Sequence, residues 1–510
     1  MEIEFKFSIP SDRLAAVEAA VRRGTVTRTR LQARYFDTPD RALATHGVVL
    51  RLRKEGRRWV QTVKAPGDGP LQREEHEVDL GPARAGVVPQ PDVQRHAGTP
   101  AGERLAALLA GAQGPLAETY GTDIWRLTRD VRVAGGTLVE LALDLGKVVA
   151  HAGTPQACES AVCELELELK RGPVAGLVAL AQRWAGQHGL WFSTVSKAGR
   201  GERLLAGLGT VPAVKAEAPR LGAPDASLDG RALQRAIVAN CLAQILPNAS
   251  EIAGGSQSDD DSEEQVHQLR IGIRRLRTAL RELAELDPSA FDTAAWEPPL
   301  VDGFRALGAL RDRAQVLERM SPVLREAGAP PIALPPEEAS VRPAGSVVRD
   351  PAFQAVLVAL IGFTAAEMPV GETTGLDAKA ARRLLRQRLQ RLHAKTLRDG
   401  QRFESLPTER QHQVRKRLKR LRYLAEFVAP LFDADRAARY LARLRPAQDA
   451  LGDFNDEAVA HALYREATAH DPGAWFAVGW FAARHPAGAR ACRKALKKIG
   501  AAPRFWRKKD

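Results

Sequence analysis

The sequence predicts a multidomain α+β protein, with a β-rich N-terminal part followed by an all-α C-terminal part. Three observations carry that prediction. Polar and apolar residues alternate with period two in short runs between residues 2 and 170, and the period changes to about 3.6 from residue 229 onward. A stretch rich in Pro, Ala and Gly, TVPAVKAEAPRLGAPDASLDG at 210–230, marks the change. Two motifs of the C-terminal part also recur about 145 residues further on. The chain is 510 residues long, enough for two to four domains. Its 45% hydrophobic and 27% charged content is that of a globular protein.

The strands read in order are EIEFKF (2–7), VVLRLRKEG (48–56), RRWVQTVKA (57–65), LQREEHEVDL (71–80), TLVELALDLG (137–146) and CELELELK (163–170). Helical segments interrupt them near 11–22 and 172–188. Each strand keeps one apolar row, such as Ile3 and Phe5, Leu50 and Leu52, Leu141 and Leu143, or Leu165 and Leu167. The opposite rows return to charge: Glu2, Glu4 and Lys6; Arg51 and Arg53; Thr62 and Lys64; Arg73, Glu75 and Glu77; Glu140 and Asp144; Glu164, Glu166 and Glu168. A single such strand reads as a solvated sheet face with cross-strand ion pairs. The repetition of carboxylate pairs calls for a divalent cation, and that of Arg/Lys pairs for a polyanion. Together they describe a Mg²⁺ or Mn²⁺ phosphate site.

Charge is unevenly distributed along the chain. The net charge is +14; residues 1–210 hold 28 basic and 24 acidic residues, whereas 382–422 hold fifteen basic and three acidic ones. In VHQLRIGIRRLRTALREL (266–283), His267, Arg270, Arg274, Arg277 and Arg281 fall within an arc of about 80° on a helix. Leu269, Ile273, Leu276 and Leu280 lie opposite. HQVRKRLKRLRYLAEF (412–427) repeats the pattern with His412, Arg415, Lys419 and Arg422, at an offset of 145 residues. LGALRD (307–312) recurs as LGDFND (451–456) at an offset of 144. The α part therefore reads as an internal duplication, repeats 229–365 and 376–506, each a four-helix bundle bearing one basic, His-containing stripe. Stacked like charges weaken a helix unless an anion compensates them. The acidic run SQSDDDSEEQ (256–265) reads as a loop favouring the following helix N-terminus.

The composition excludes several classes. The four cysteines are too few and too scattered for a disulfide framework or a zinc site. The longest apolar stretch, AVLVALIGF at 355–363, is too short to span a bilayer, and no apolar signal segment opens the sequence. A cytoplasmic protein is expected. Aromatic residues are 5% of the chain and do not interleave with the basic stripes, which argues against nucleic acid.

The ordered set E-x-E-x-K (Glu2, Glu4, Lys6), R-x-R, T-x-K, E-x-E, a late Asp and a second E-x-E resembles the CYTH domain, the triphosphate tunnel metalloenzyme superfamily; YFDTPDRAL (35–43) and SKAGRG (196–201) look like further family segments. The resemblance spans about 1–205 and implies an eight-stranded antiparallel barrel with a charged tunnel. It implies that Lys6, Arg51, Arg53, Lys64, Arg126 and Lys197 grip triphosphate, with Arg129 competing for the place of Arg126. Glu2, Glu4, Glu75, Glu77, Asp144, Glu164 and Glu166 would hold Mg²⁺ or Mn²⁺, with Glu168 an alternative member of the last pair. Water activated by the metal would attack the terminal phosphorus. After a linker at 206–228, residues 229–506 resemble the CHAD domain, which implies polyphosphate binding by His267, Arg270, Arg274, Arg277, His412, Arg415, Lys419 and Arg422. The expected function is an inorganic triphosphatase with a polyphosphate-binding α region, found in the cytoplasm and at polyphosphate granules. An adenylate cyclase of the same family and a non-catalytic polyphosphate-binding or granule protein are the alternatives.

Overall fold

A computed structural model describes residues 2–67, 72–84, 86–221, 228–255, 263–334, 342–366 and 375–507. Of the acidic run at 256–265, residues 256–262 lie outside the described residues. The strands are β1 (Glu2–Ser8), β2 (Thr27–Asp37), β3 (Val49–Glu55), β4 (Arg58–Pro66), β5 (Gln72–Pro82), β6 (Ala117–Val133), β7 (Thr137–Ala150), β8 (Cys158–Arg171) and β9 (Trp191–Phe192). They form one antiparallel sheet in the order β5-β4-β3-β2-β6-β7-β8-β1-β9. β1 also pairs with β5, through Glu2↔Arg73 and Ile3↔Gln72. The closed eight-stranded barrel expected from the sequence is therefore replaced by a nine-stranded sheet, whose flanks meet among the described residues in this two-residue ladder.

All six strands expected from alternation are present. β2, β6 and the two-residue β9 are additional, and for β2 the reason is chemical. The outward row of β2 is Arg28, Arg30, Gln32 and Arg34, which mimics a polar segment. It is stabilised across the sheet instead, by Arg30 to Asp123 at 2.5 Å, Arg34 to Glu118 at 2.8 Å and Arg28 stacked 4.0 Å over Trp125.

Short helices flank the sheet: α1 (Leu14–Val21), α2 (Ala42–Thr45), α3 (Pro100–Ala110), α4 (Val174–His188) and α5 (Lys197–Ala206). The apolar rows of β1, β7 and β8, represented by Phe5, Phe7, Leu141, Leu143, Leu165 and Leu167, are fully buried, with α4 packed on β7 and β8. A second apolar cluster, including Leu50, Leu52, Trp59 and Val63, packs against α2 and α3.

Beyond residue 229 only helices occur among the described residues: α6 (Gly230–Gly254), α7 (Glu263–Leu283), α8 (Thr293–Glu326), α9 (Ala344–Val348), α10 (Pro351–Ala365), α11 (Ala378–Gln401), α12 (Thr408–Val428), α13 (Ala434–Ala467) and α14 (Ala474–Ile499). α7 and α12, which carry the two basic stripes, are both 21 residues long; α8 and α13, which carry LGALRD and LGDFND, are both 34. None is long and apolar enough to cross a membrane.

The chain divides into two compact units. The first comprises 1–215 together with 242–269 and 348–370; the second comprises 216–241, 270–347 and 371–510. Within the first, α10 packs along α4, and Gly362 allows the approach: a Cβ there would lie 2.3 Å from Val178 Cγ2. Within the second, α11, α12, α13 and α14 pack on one another.

Candidate metal and phosphate site

Strand register assembles the charged face. Residues directly opposite in an antiparallel ladder point to the same side. The pairings Lys6↔Glu166, Ser8↔Glu164, Glu164↔Asp144 and Asp144↔Arg126 therefore gather their side chains on one face. On the other flank Arg51↔Thr62, Thr62↔Glu77 and Lys64↔Glu75 do the same. This face is enclosed: the side chains of Arg51, Lys64, Glu166 and Lys197 are 12–19% exposed, and those of Asp144 and Glu164 are buried.

One group centres on three carboxylates. One oxygen each from Asp144, Glu164 and Glu166 lies within 4.8 Å of the others. Lys197 Nζ sits 2.6 Å from Asp144, 2.5 Å from Glu164 and 2.8 Å from Glu166. Arg126 donates to Asp144 at 2.6 and 2.7 Å and also bonds Glu166. Burial opposes the charge on Glu166, yet Lys197 and Arg126 outweigh it and hold the carboxyl well below its ordinary range. Burial likewise opposes Lys197 and Arg126, but the facing carboxylates raise both well above their usual values. At Lys6 the balance reverses: burial wins over Glu164 and Glu166 and lowers the ammonium pKa.

The other group alternates sign. Lys64 is 2.6 Å from Glu75, Arg51 is 3.7 Å from Glu75 and 3.6 Å from Glu77, and Arg53 is 3.4 Å from Glu77. Thr62 donates to Glu77 at 3.0 Å. Burial opposes the Glu77 charge, but Arg53, Arg51 and Thr62 lower its pKa. At Arg53 burial and the charge of Arg51 lower the pKa.

The donor set fits a hard divalent cation. Among the described residues it offers clustered carboxylate oxygens and no softer ligand, and Glu164 Oε2 is buried there without a hydrogen-bond partner. Arg51 Nε is likewise buried without a hydrogen-bond partner among the described residues.

The register separates the alternatives left by the sequence. Arg126 reaches the acidic cluster, whereas Arg129, an odd number of residues further along β6, points to the other side and bonds the carbonyls of Ala20 and Arg23. Glu164 and Glu166 join Asp144; Glu168 instead pairs with Lys170 at 3.0 Å, in register with Glu140 and Glu4. Glu4 is half-buried on β1 in that more distant row. The side chain of Glu2 lies outside the described residues.

Several contributors lie outside the alternating charge pattern. Tyr35, opposite Arg51 on β2, hydrogen-bonds its guanidinium and stacks on Tyr120 with centroids 4.7 Å apart. Tyr120 in turn covers Gly201 of α5, where a Cβ would fall 2.3 Å from the ring. Asp37 accepts from the N–H groups of Thr38, Leu43 and Ala44 at 2.7–2.9 Å, and this turn delivers Arg41 to an ion pair with Glu202 of α5. The YFDTPDRAL and SKAGRG segments thus meet: one braces the helix that begins at Lys197. Aromatic and glycine positions carry no periodic signal, and only the fold relates them.

In the second unit, Leu269's neighbours on the buried side of α7, Ile273, Leu276 and Leu280, are in the core, as are Val414, Leu418 and Leu421 of α12. On the basic side Arg270 and Arg274 lie 5.0 and 5.2 Å over Phe304, and Arg277 pairs with Glu297 at 3.2 Å. Burial first, then the charges of Arg274, Arg415 and Arg422, push the Lys419 ammonium down to about 6. Burial, Lys416, Arg415 and Lys419 lower His412, against a hydrogen bond with Asn455. Arg422 pairs with Glu426 at 3.1 Å, and its Nε is buried without a partner among the described residues, as is that of Arg277. His267 lies on the first unit's portion of α7. The LGDFND motif supplies Asn455 and, through Asp453 and Asp456, partners for Arg319 at 2.5 and 2.8 Å. Its role was invisible in the sequence because it acts by facing another helix.

Comparison with known proteins agrees with these two regions. The CYTH domain family model matches residues 1–201 and the CHAD domain family model matches residues 236–465. An inorganic triphosphatase of Haemophilus influenzae is 29% identical over 173 residues, 33% of this chain and 44% of that protein, so less than half of the relative's length is matched. Among solved structures, the CHAD domain from Ricinus communis is 26% identical with a TM-score of 0.43, over 58% of this chain and 99% of that one. A putative adenylyl cyclase from Hippeastrum, described as having a dominant triphosphatase activity, is 19% identical with a TM-score of 0.28, over 42% and 98%. Residues 1–201 thus carry a CYTH domain and, after it, residues 236–465 a CHAD domain.

Proposed function

We propose that the CYTH region hydrolyses inorganic triphosphate with Mg²⁺ or Mn²⁺, its sheet acting as the tunnel of that family, and that the CHAD region binds polyphosphate. One observation carries the first reading: three carboxylates within 4.8 Å, enclosed on a face with Lys6, Arg51, Arg53, Lys64, Arg126 and Lys197. Glu166 stays ionised and Lys197 and Arg126 stay charged, so the first is a ligand and the latter two are electrostatic clamps rather than proton carriers. Asp144, Glu164 and Glu166, with Glu4, Glu75 and Glu77, would hold the metal, which when bound neutralises phosphate oxygens and lowers the pKa of water.

Lys64, Arg51 and Arg53 draw the phosphate chain along the opposite flank. Their anchoring carboxylates keep them extended before substrate arrives. Water adds its oxygen to the terminal phosphorus as the bridging P–O bond breaks. The bridging oxygen leaves with the bonding pair, giving pyrophosphate and orthophosphate, and the surplus proton passes to solvent. The test is a panel of tripolyphosphate, nucleoside triphosphates and thiamine triphosphate with Mg²⁺ and Mn²⁺, reading phosphate release and cyclic AMP. Tripolyphosphate hydrolysis that requires the metal is the expected result; no turnover by the folded protein would overturn the reading.

The reading for the CHAD region is supported by the basic side of α12, where Lys419 is held down to about 6 by burial and neighbouring cations, a configuration that a polyanion relieves. Titration calorimetry with long-chain polyphosphate tests it, and saturable binding that survives loss of Glu164 is expected.

A further inference from the structure

Lys197 is the first residue of α5, so the direction in which α5 starts decides whether Nζ meets the three carboxylates. Segment 191–196, which leads into it, forms the edge of the sheet. On one side Ser193 N–H donates to Lys6 O at 2.9 Å, continuing the ladder with β1. The N–H groups on either side of Ser193 point the other way, where an edge strand has no neighbour. Two side chains take that place. Phe192 N–H donates to Gln354 Oε1 at 2.8 Å, and Thr194 N–H donates to Ser250 Oγ at 3.0 Å. Gln354 is 1% exposed, and its Nε2 is committed to Val348 O at 2.8 Å, which fixes the amide so that its oxygen faces Phe192. Ser250 is 3% exposed.

Further contacts converge on the same segment. Glu251, next to Ser250, pairs with Arg203 on α5, and Arg349 stacks 4.2 Å over Trp191 while donating to Ala253 O at 2.7 Å. All these partners come from α6, α10 and the turn before α10. They lie within residues 236–465, the range matched by the CHAD family, and yet in the same compact unit as the sheet. An apolar contact would suffice merely to dock two helices. Acceptors aimed at two alternate backbone N–H groups do more, because they set the height and direction of the chain that enters α5.

We propose that Gln354 and Ser250 are positioning residues of the hydrolytic site: residues of the CHAD sequence that fix the start of α5 and so place Lys197 on the metal and phosphate cluster. The assignment of a reaction to that cluster rests on the triphosphatase reading; the positioning itself does not. The variants are Gln354→Met and Ser250→Ala, alone and together, each near-isosteric and lacking the acceptor, in the full-length protein.

Two measurements test them. By hydrogen–deuterium exchange, the double variant is expected to speed exchange across 197–206 at least fivefold while leaving α4 and β7 unchanged. An unchanged 197–206, or a rise spread equally over α4 and β7, overturns the proposal. By kinetics on tripolyphosphate, each single variant is expected to lower kcat/KM about tenfold, in line with the cost of small misplacements, and Ser250→Thr, which keeps the hydroxyl, to recover most of it. In a Lys197→Ala background the same substitutions should have no further effect; full additivity there overturns the proposal. If the wild-type protein hydrolyses nothing, the triphosphatase reading fails, and the exchange data alone decide the positioning.

Discussion

The enclosed face of the sheet and the basic side of α12 both concentrate cations, but they dispose of the charge in opposite ways. On the sheet the cations have carboxylates within 4 Å: Lys197 has three, Arg126 two, Lys64 one. Lys197 and Arg126 are thereby held charged and Glu166 ionised, although burial still lowers Lys6 and Arg53. On α12 the balance runs the other way: burial first, then the charges of Arg274, Arg415 and Arg422, hold Lys419 down against the charge of Asp456. A network of mixed sign is complete before its ligand arrives and exchanges partners when it does. A side on which cations outnumber acids leaves like charges facing one another, and a bound polyanion would relieve them.

The largest effect expected from breaking this contrast is at the carboxylates. Glu164→Ala should reduce triphosphate turnover by at least about a thousandfold, while polyphosphate affinity measured by calorimetry stays unchanged. Lys197→Ala leaves Asp144, Glu164 and Glu166 facing one another with one cation fewer. It should destabilise the metal-free protein by about 3–5 kcal/mol and much less at saturating Mg²⁺, a difference that thermal unfolding with and without the ion will show.

Next is Gly201→Ala, whose Cβ would fall 2.3 Å from Tyr120. The ring or α5 has to move, at a cost of about 1–3 kcal/mol, and kcat/KM should fall more than the unfolding midpoint suggests. If Gly201→Ala turns over normally, α5 is not braced as described.

The pH dependence sharpens the other side of the comparison. Lys419 titrates near 6 in the folded chain and near 10.5 when unfolded, so between those values the unfolded state binds the extra proton. Stability from this residue therefore rises with pH across that window, and the penalty of charging it is fully present below about 6. Bound polyphosphate would restore the charge, so on the proposed reading its binding near pH 7.5 should take up a proton and tighten as pH falls toward 6. Lys419→Met should abolish the proton uptake, read as loss of buffer dependence in the calorimetric enthalpy. The smallest effect belongs to Lys147→Ala: its pair with Glu159 is 50% and 61% exposed, and the thermal unfolding midpoint should not move measurably.

How much of this was legible in the sequence depends on whether a residue acts through its own strand or through another element. The strand rows with period two located Lys6, Arg51, Arg53, Lys64, Asp144, Glu164 and Glu166 because alternation alone decides the face. Arg126 and Arg129 could not be separated that way, since β6 itself was not recognised beneath its Thr and Arg residues, and only parity along the strand places one with the acids and the other with α1. Tyr35, Gly201 and Asn455 lie in segments that the sequence marks, but their roles were hidden for a different reason: their chemistry is ordinary until Arg51, Tyr120 and His412, each on another element, are brought to them. The division of the α region between two units was equally hidden, because Gln354 and Ser250 sit in helices whose apolar pattern says only that they are buried.

The reach of α10 across α4 has a practical side. A protease cut, or a shortened chain, that ends in the 210–230 stretch would keep every strand of the sheet yet strip the cover from α4 and from the outer N–H groups of β9. What remains would present an apolar helix face beside an open strand edge, a template for self-association. The isolated sheet region is thus expected to be folded but sticky, and its solubility, more than its secondary structure, will report whether the two sequence regions are separable.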